Sequence, residues 1–258
     1  AIILDQTIFY SEMGGQIGDT GTLTTNDGTA YSVIDTQVKN GIYLHLVETQ
    51  ETLKGTVSLN INLERRQAIQ RHHSATHLLN WALRSTLGTH IQQAGSSVTE
   101  NRLRFDFSHF EAIDSKTLQA IEQSINEKVM KNSFVETYEV AYKDKPEDVV
   151  AVFGEKYGDQ VRVVDIGGFS KELCGGTHVQ ATGEIGLVKI ISESGIAAGT
   201  RRIEAICGET AYTLAEERFT QVDALANKFN CNSEELANRV DALIAVSYTH
   251  LTLPTSRS

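Results

Sequence analysis

Two short motifs that lie far apart in the chain constrain its fold more than any other feature. His73 and His77 are four residues apart in a stretch with helical periodicity, so both imidazoles lie on one helix face. Cys174 and His178 have the same spacing, but the two glycines between them favour a tight loop. Four nitrogen and sulfur ligands are typical of zinc. The pattern therefore predicts that the fold brings both segments together around one metal ion.

Two other kinds of site use similar residues. Zinc peptidases of the His-Glu-x-x-His type need a glutamate beside the first histidine as general base, and here that position is Ser74. A cysteine nucleophile would set Cys174 beside a histidine base. Since a zinc-bound thiolate is a weaker nucleophile, the metal and nucleophile hypotheses compete for Cys174, and we favour the metal.

Composition indicates an ordinary globular protein. The chain has 258 residues, of which 40% are hydrophobic and 22% charged. Its net charge of -10 argues against broad electrostatic binding to nucleic acid but leaves room for a small basic surface. The 3 cysteines are far apart and predict free thiols in a reducing cytoplasm, and we expect no membrane span. Because the chain opens without Met on a strand-like stretch, we expect it to be a segment of a longer protein.

Residues 1–63 predict a small β-barrel or sandwich. Four glycines between Phe9 and Gly21 indicate an irregular loop. Asn40-Gly41 is suited to a tight hairpin turn between strand-like segments. Val57 to Leu63 alternate apolar and polar residues as a half-buried strand does.

Residues 64–208 predict an α+β domain with a mainly antiparallel sheet. A helix from Glu64 to Leu87 would end at Gly88, and Asp114 or Ser115 would cap a second helix. Alternating apolar residues predict strands at 103–107, 134–141, 161–166, 186–192 and 201–206.

The C-terminal part predicts a helical hairpin at 209–246 that serves packing or self-association. Residues 247–258 abandon the helical pattern, and we expect them to form a disordered or foreign tail.

Six stretches of this chain occur in an order that is far more specific than any single motif. They are Phe9 to Gly21, His73 to His90, Gly95 to Val98, Arg102 to His109, Phe153 to Val164 and Glu172 to Ala205. In this order they resemble the editing region of alanyl-tRNA synthetase, from about Leu4 to about Ile244. Free-standing alanyl-tRNA editing proteins are related, and the threonyl-tRNA synthetase editing domain resembles the central part only.

The resemblance implies a zinc-containing deacylase. It would hydrolyse the ester that links serine or glycine to the tRNA for alanine. A pocket built for alanine rejects these amino acids by only about 1 to 3 kcal/mol, so a second selection is needed. The alternative is a non-catalytic, zinc-stabilised module that binds tRNA.

The resemblance also implies roles for individual residues. The two histidine-containing motifs match the family's zinc ligands, and Gln93 and Cys174 are the expected catalytic residues. Gly14, Gly15 and Gln16 match a motif associated with substrate selection. We further expect contacts to tRNA phosphates from a set of arginines, although ion pairs with acidic groups would explain them equally: Arg102, Arg104, Arg201 and Arg202.

The role of zinc stays open at this stage. It would either act on the ester or a water, or fix the pocket and hold the aminoacyl end. Four protein ligands would leave no position for water, which favours the second role.

Overall fold

The structure, a computed structural model, describes residues 1–49, 51–151 and 157–251. The chain divides into two compact units, Ala1–Ala211 and Tyr212–Ser258. The predicted stretch that begins at Phe153 is described only from Tyr157 onward. The predicted four-part division of the chain stays a prediction.

The first unit opens with a four-stranded antiparallel sheet. Its strands are β1 (Gly21–Thr25), β2 (Ala30–Lys39), β3 (Ile42–Val47) and β4 (Val57–Ile61), in the order β3-β2-β1-β4. Asn40 and Gly41 form the predicted turn between β2 and β3, with φ of 53° and 78°. Both lie in the left-handed region that such turns require.

The prediction of a β-barrel is wrong. Strands β3 and β4 are the two edges of this sheet, and no pairing between them closes it within the described ranges. About eight strands are needed before inward side chains just fill a barrel. Four short strands instead form an open sheet over a small apolar cluster centred on Phe9, Leu23 and Val33.

The rest of the first unit is α+β with antiparallel sheets, as predicted. In chain order its elements are α1 (Leu63–Leu87), β5 (Gln93–Val98), β6 (Leu103–Ser108), α2 (Ser115–Met130), β7 (Val135–Ala141), β8 (Gln160–Ile166), β9 (Ser170–Leu173), β10 (Val188–Ala197) and β11 (Thr200–Cys207). One sheet has the order β10-β11-β6-β5 and the other β7-β8-β9.

The ends of α1 and α2 follow from local sequence. The Asn62 side chain accepts a hydrogen bond from the Arg65 backbone and caps α1, so Leu63 starts this helix rather than ending a strand. Gly88 ends α1 as predicted. The Asp114 side chain caps α2 through the Thr117 backbone.

Helix α1 crosses the main core and carries polar residues into it. Leu79 and Leu83 pack with Phe105 and Phe107 of β6 in one buried cluster. Between these apolar positions α1 also buries several polar side chains, namely His72, His73, Ser74, Thr76, His77 and Asn80. Buried polar groups are costly unless they find partners. Their concentration on α1 therefore indicates a functional site at this helix.

The C-terminal part is helical, as predicted. It contains α3 (Glu209–Lys228) and α4 (Leu236–Leu251). Helix α4 continues five residues beyond the predicted boundary at 246, because no glycine or proline interrupts the chain before Pro254. Residues 252–258 of the predicted tail lie outside the described residues. Among the described helices, none is long and apolar enough to cross a membrane.

Candidate metal centre

The four predicted ligands meet in the first unit. The nitrogen and sulfur atoms of His73, His77, Cys174 and His178 all lie within 4.8 Å of one another. Cys174 Sγ is 3.3 Å from His73 Nε2 and 3.4 Å from His178 Nε2. Zinc bonds to nitrogen and sulfur predict a tetrahedral N···S edge of roughly 3.5 Å. The donor set and its spacing therefore fit zinc.

Two of the histidines are oriented by partners on their outer side. His73 Nδ1 lies 2.6 Å from Gln16 Oε1, and His77 Nδ1 lies 2.8 Å from Glu172 Oε2. Oxygen acceptors at Nδ1 leave the Nε2 lone pair for a metal. Within the described part of the chain, the buried His77 Nε2 atom has no hydrogen-bond partner. A buried nitrogen without a hydrogen-bond partner fits the role of a metal ligand.

The third histidine is held by the helix that carries the other two. His178 Nδ1 lies 3.3 Å from Ser74 Oγ, and the Val179 backbone donates to the same oxygen over 3.2 Å. Ser74, which stands where a zinc peptidase has glutamate, therefore ties α1 to the cysteine loop.

The charges of Cys174 and His178 match those of metal ligands, whereas His77 must release a proton when a metal binds. Burial alone would raise the pKa of the Cys174 thiol, but His73, His178 and His77 hold that pKa well below its usual value. Burial acts to lower the pKa of His77, but the Glu172 carboxylate and Cys174 outweigh it and raise that pKa to about 10. Burial and the neighbouring His73 lower the pKa of His178 to about 3. These neighbours favour the Cys174 thiolate, the form that binds metal.

The cysteine loop owes its position to β8 and to a glycine. Arg162 of β8 donates from Nη1 to the carbonyl oxygens of Cys174 and Gly176, over 3.0 and 2.7 Å. A Cβ at Gly176 would overlap the His73 ring and lie 2.9 Å from Gln16 Oε1. Only glycine lets the loop approach the histidine this closely.

A pocket of about 380 Å³ opens onto the cluster. Gln93 of β5 lines it, and its Nε2 donates to Ser96 Oγ over 3.2 Å. Tyr10, Met13 and Gly14 of the glycine-rich loop line the same pocket. The expected catalytic residues Gln93 and Cys174 therefore share one pocket.

The three residues of the glycine motif occupy different places. Gly14 lines the pocket. The Gly15 carbonyl accepts from the Val98 backbone of β5 over 2.7 Å, and a Cβ there would lie 2.6 Å from the Ser96 carbonyl oxygen. Gln16 is fully buried and is not among the described residues that line the pocket. A direct contact between Gln16 and substrate stays a prediction.

The four expected arginines all have carboxylate partners. None of them belongs to the described lining of the pocket. The pairs are Arg102 with Glu204 (3.3 Å), Arg104 with Asp106 (3.6 Å), Arg201 with Glu193 and Arg202 with Asp106 (2.7 Å).

Strand pairing separates two of these arginines from the pocket. Directly paired residues of antiparallel strands face the same side, and neighbours along a strand alternate. Ser96 pairs with Phe105, whereas Arg104 pairs with Ser97 and Arg202 pairs with Asp106. Arg104 and Arg202 therefore lie on the sheet face opposite Ser96.

Sequence reasoning missed two site residues. Glu172 could have been found, because strand alternation places it on the same side as Cys174, two residues later. Arg162 has no local signal, since its loop contacts span 12 and 14 residues of sequence.

Comparisons with known proteins define the class. Residues 161–204, which include the cysteine motif, match the family described as threonyl and alanyl tRNA synthetase second additional domain. Residues 1–67 match the family of class II (A) tRNA synthetases. Both matches are to regions of aminoacyl-tRNA synthetases.

Individual relatives narrow the class. The chain is 47% identical over 253 residues to an alanine-tRNA ligase of Opitutus terrae. The matched region covers 95% of this chain and 27% of that protein. It is 47% identical over 249 residues to the ligase of Bacillus cytotoxicus, covering 95% of this chain and 28% of the relative. It is 46% identical over 248 residues to the alanine-tRNA ligase of Dichelobacter nodosus. That match covers 94% of this chain and 28% of the relative.

These matches support the assignment of the chain to the alanyl-tRNA synthetase family as an editing region. The chain spans little more than a quarter of the length of these relatives, 27% of the first.

Proposed function

We propose that the chain hydrolyses the ester that links serine or glycine to the tRNA for alanine. One observation carries this proposal: three histidine nitrogens and the Cys174 sulfur converge beside a pocket that Gln93 also lines. The resemblance to the alanyl-tRNA synthetase editing region motivates this choice of substrate. The cytoplasm, where such a tRNA is used, is the proposed location.

Zinc is the proposed cofactor, held by His73, His77, Cys174 and His178. When bound, it supplies a positive charge that can hold or polarise an oxygen of the aminoacyl end. Because all four ligands come from the chain, the positioning role is favoured over activation of water.

Gln93 is the proposed catalytic side chain. Its amide faces the pocket and is fixed by Ser96. A fixed amide N–H can stabilise charge that develops on an ester oxygen, and the amide oxygen can orient a water. Both actions require that β5 holds the Gln93 amide at the pocket.

The acceptor end of the tRNA is the proposed macromolecular partner. Arg102, Arg104, Arg201 and Arg202 would exchange a carboxylate partner for a phosphate. Arg102 is the most available, because 63% of its side chain is exposed. Self-association through the C-terminal helices is a further proposal, motivated by exposed apolar residues such as Phe219 and Leu243.

The neighbouring glutamines give a matched test. Gln93→Ala removes the pocket amide, while Gln92→Ala removes an exposed amide one position earlier. With zinc-loaded protein and seryl-tRNA for alanine, we expect Gln93→Ala to slow serine release about 100-fold. Gln92→Ala should release serine as fast as the unchanged chain. Equal rates for both variants would contradict a catalytic Gln93.

The alternative, a non-catalytic module, is favoured by the four protein ligands, which are typical of structural zinc. Under that alternative, Cys174→Ala lowers thermal stability strongly and Gln93→Ala changes nothing measurable.

A further inference from the structure

Gln16 connects the glycine-rich loop to the metal centre. Its side chain is fully buried, although glutamine is usually exposed. Its Oε1 atom lies 2.6 Å from His73 Nδ1, across 57 residues of sequence. Its Nε2 atom donates to Thr177 Oγ1 over 3.0 Å, across 161 residues. A buried amide with partners in two distant segments can fix both.

The contacts determine which end of the amide faces the histidine. The Thr177 backbone N–H, which can only donate, lies 3.0 Å from the same Gln16 atom that meets His73. That atom must therefore be the carbonyl oxygen. Because an oxygen acceptor faces His73 Nδ1, this nitrogen carries the proton and Nε2 keeps its lone pair.

The backbone around Gln16 is itself fixed. Met13 and Gln16 exchange two backbone hydrogen bonds of 3.0 and 3.1 Å, and the Ile17 backbone donates to the Val98 carbonyl over 3.2 Å. Arg66 of α1 forms an ion pair with the buried Asp19 in the same loop. The loop is therefore anchored on both β5 and α1, so Gln16 is pre-positioned.

We propose that Gln16 is a positioning residue of the metal centre, which holds the His73 tautomer and ties the cysteine loop to the histidine helix. This inference rests on the proposed zinc site. Gln16, the last residue of the glycine motif, would then help to retain the metal rather than contact the substrate directly.

Two substitutions separate the acceptor oxygen from side-chain volume. Gln16→Met keeps the approximate length and loses all three polar contacts, whereas Gln16→Glu keeps an oxygen acceptor for His73 and Thr177. Gln37→Met is the matched control, because Gln37 is exposed on β2 in the N-terminal sheet. All variants are made in the full chain.

Zinc affinity is measured by competition with a chromophoric chelator. We expect Gln16→Met to weaken zinc binding about 10- to 100-fold, Gln16→Glu to recover most of that loss, and Gln37→Met to bind like the unchanged chain. Histidine nitrogen NMR of the zinc-loaded chain should show His73 protonated at Nδ1.

Several outcomes would overturn the inference. Unchanged zinc affinity in Gln16→Met would do so, and so would equal losses in the Met and Glu variants, since the acceptor oxygen would then not matter. If the unchanged chain binds zinc and releases serine, such results contradict the role of Gln16 alone. If the unchanged chain binds no zinc, the proposed metal site fails with it.

Discussion

At the scale of single residues, Gly176 makes the candidate metal centre possible through the side chain that it lacks. The histidine ring and the Gln16 amide occupy the space where a Cβ would lie. Gly175, its neighbour, is less restricted, because a Cβ there would lie 3.4 Å from the flexible Met13 side-chain end. The two glycines of one motif therefore differ in their physical role.

This difference predicts unequal effects of alanine. Gly176→Ala should displace His73 or the loop, weaken zinc binding about 10- to 100-fold and lower stability by about 1 to 3 kcal/mol. Gly175→Ala should change both quantities much less. Chelator competition and urea denaturation measure the two effects. Similar losses for both variants would contradict the close approach.

The Cys174 thiolate gives a second residue-scale prediction. Because the neighbouring histidines hold its pKa well below the usual value, the metal-free chain should contain a thiolate at Cys174 at neutral pH. Burial raises the pKa of Cys207, so that thiol should stay protonated. Ultraviolet thiolate absorbance at neutral pH should fall in Cys174→Ser and persist in Cys207→Ser. The opposite pattern would show that the histidines do not stabilise the Cys174 anion.

Sequence spacing predicts the ligands at this scale, but not their supporting shell. Four-residue spacing on a helix is a local property, so the histidine pair is readable from the chain. The contact between Gln16 and His73 depends on how a loop packs against α1, which no local pattern contains. The family resemblance accordingly implies only a substrate-selecting role for Gln16.

At the scale of elements, α1 organises the site. The same helix supplies two ligands, the Ser74 contact to His178, and the arginine that anchors the glycine-rich loop. Asp19, the loop partner of that arginine, has only 2% of its side chain exposed. A buried carboxylate without its partner is strongly unfavourable.

The anchor predicts a stability difference between two arginines. Arg66→Met leaves Asp19 buried and unpaired and should reduce the free energy of unfolding by about 3 to 5 kcal/mol. Arg102→Met breaks an exposed pair and should cost less than about 1 kcal/mol. Urea denaturation of both variants measures the difference. Equal midpoints would mean that the loop is not held by this ion pair.

The sheets show where prediction from pattern ends. Alternating residues located β2, β3 and β6 closely, and Gly88 marked the end of α1. Whether a sheet closes depends on which edge strands meet, and this is a non-local property. For that reason the alternating pattern could not show that the N-terminal sheet stays open.

Arg102 also tests the proposed tRNA surface. Arg102→Gln should weaken binding to tRNA uniformly and reduce the salt slope of log affinity by about 1, because one phosphate contact is lost. Lys39→Gln is the control for the change in charge, since Lys39 is exposed on β2. Filter binding over a range of salt concentrations measures both. The same decrease in both variants would indicate only a general effect of charge.

At the scale of the whole molecule, the chain is acidic, and the four expected arginines lie on or next to the adjacent strands β6 and β11. The net charge of -10 leaves little general attraction to nucleic acid. Arg102, just before β6, and Arg202 of β11 both pair with carboxylates. An acidic chain with paired arginines is not suited to strong electrostatic binding along a nucleic acid.

Single-turnover hydrolysis of seryl-tRNA for alanine tests the central claim most directly. Zinc-loaded chain should release serine well above the spontaneous rate, removal of zinc with a chelator should abolish that release, and added zinc should restore it. Serine release at only the spontaneous rate, from a folded chain with one zinc bound, would contradict the proposed deacylase.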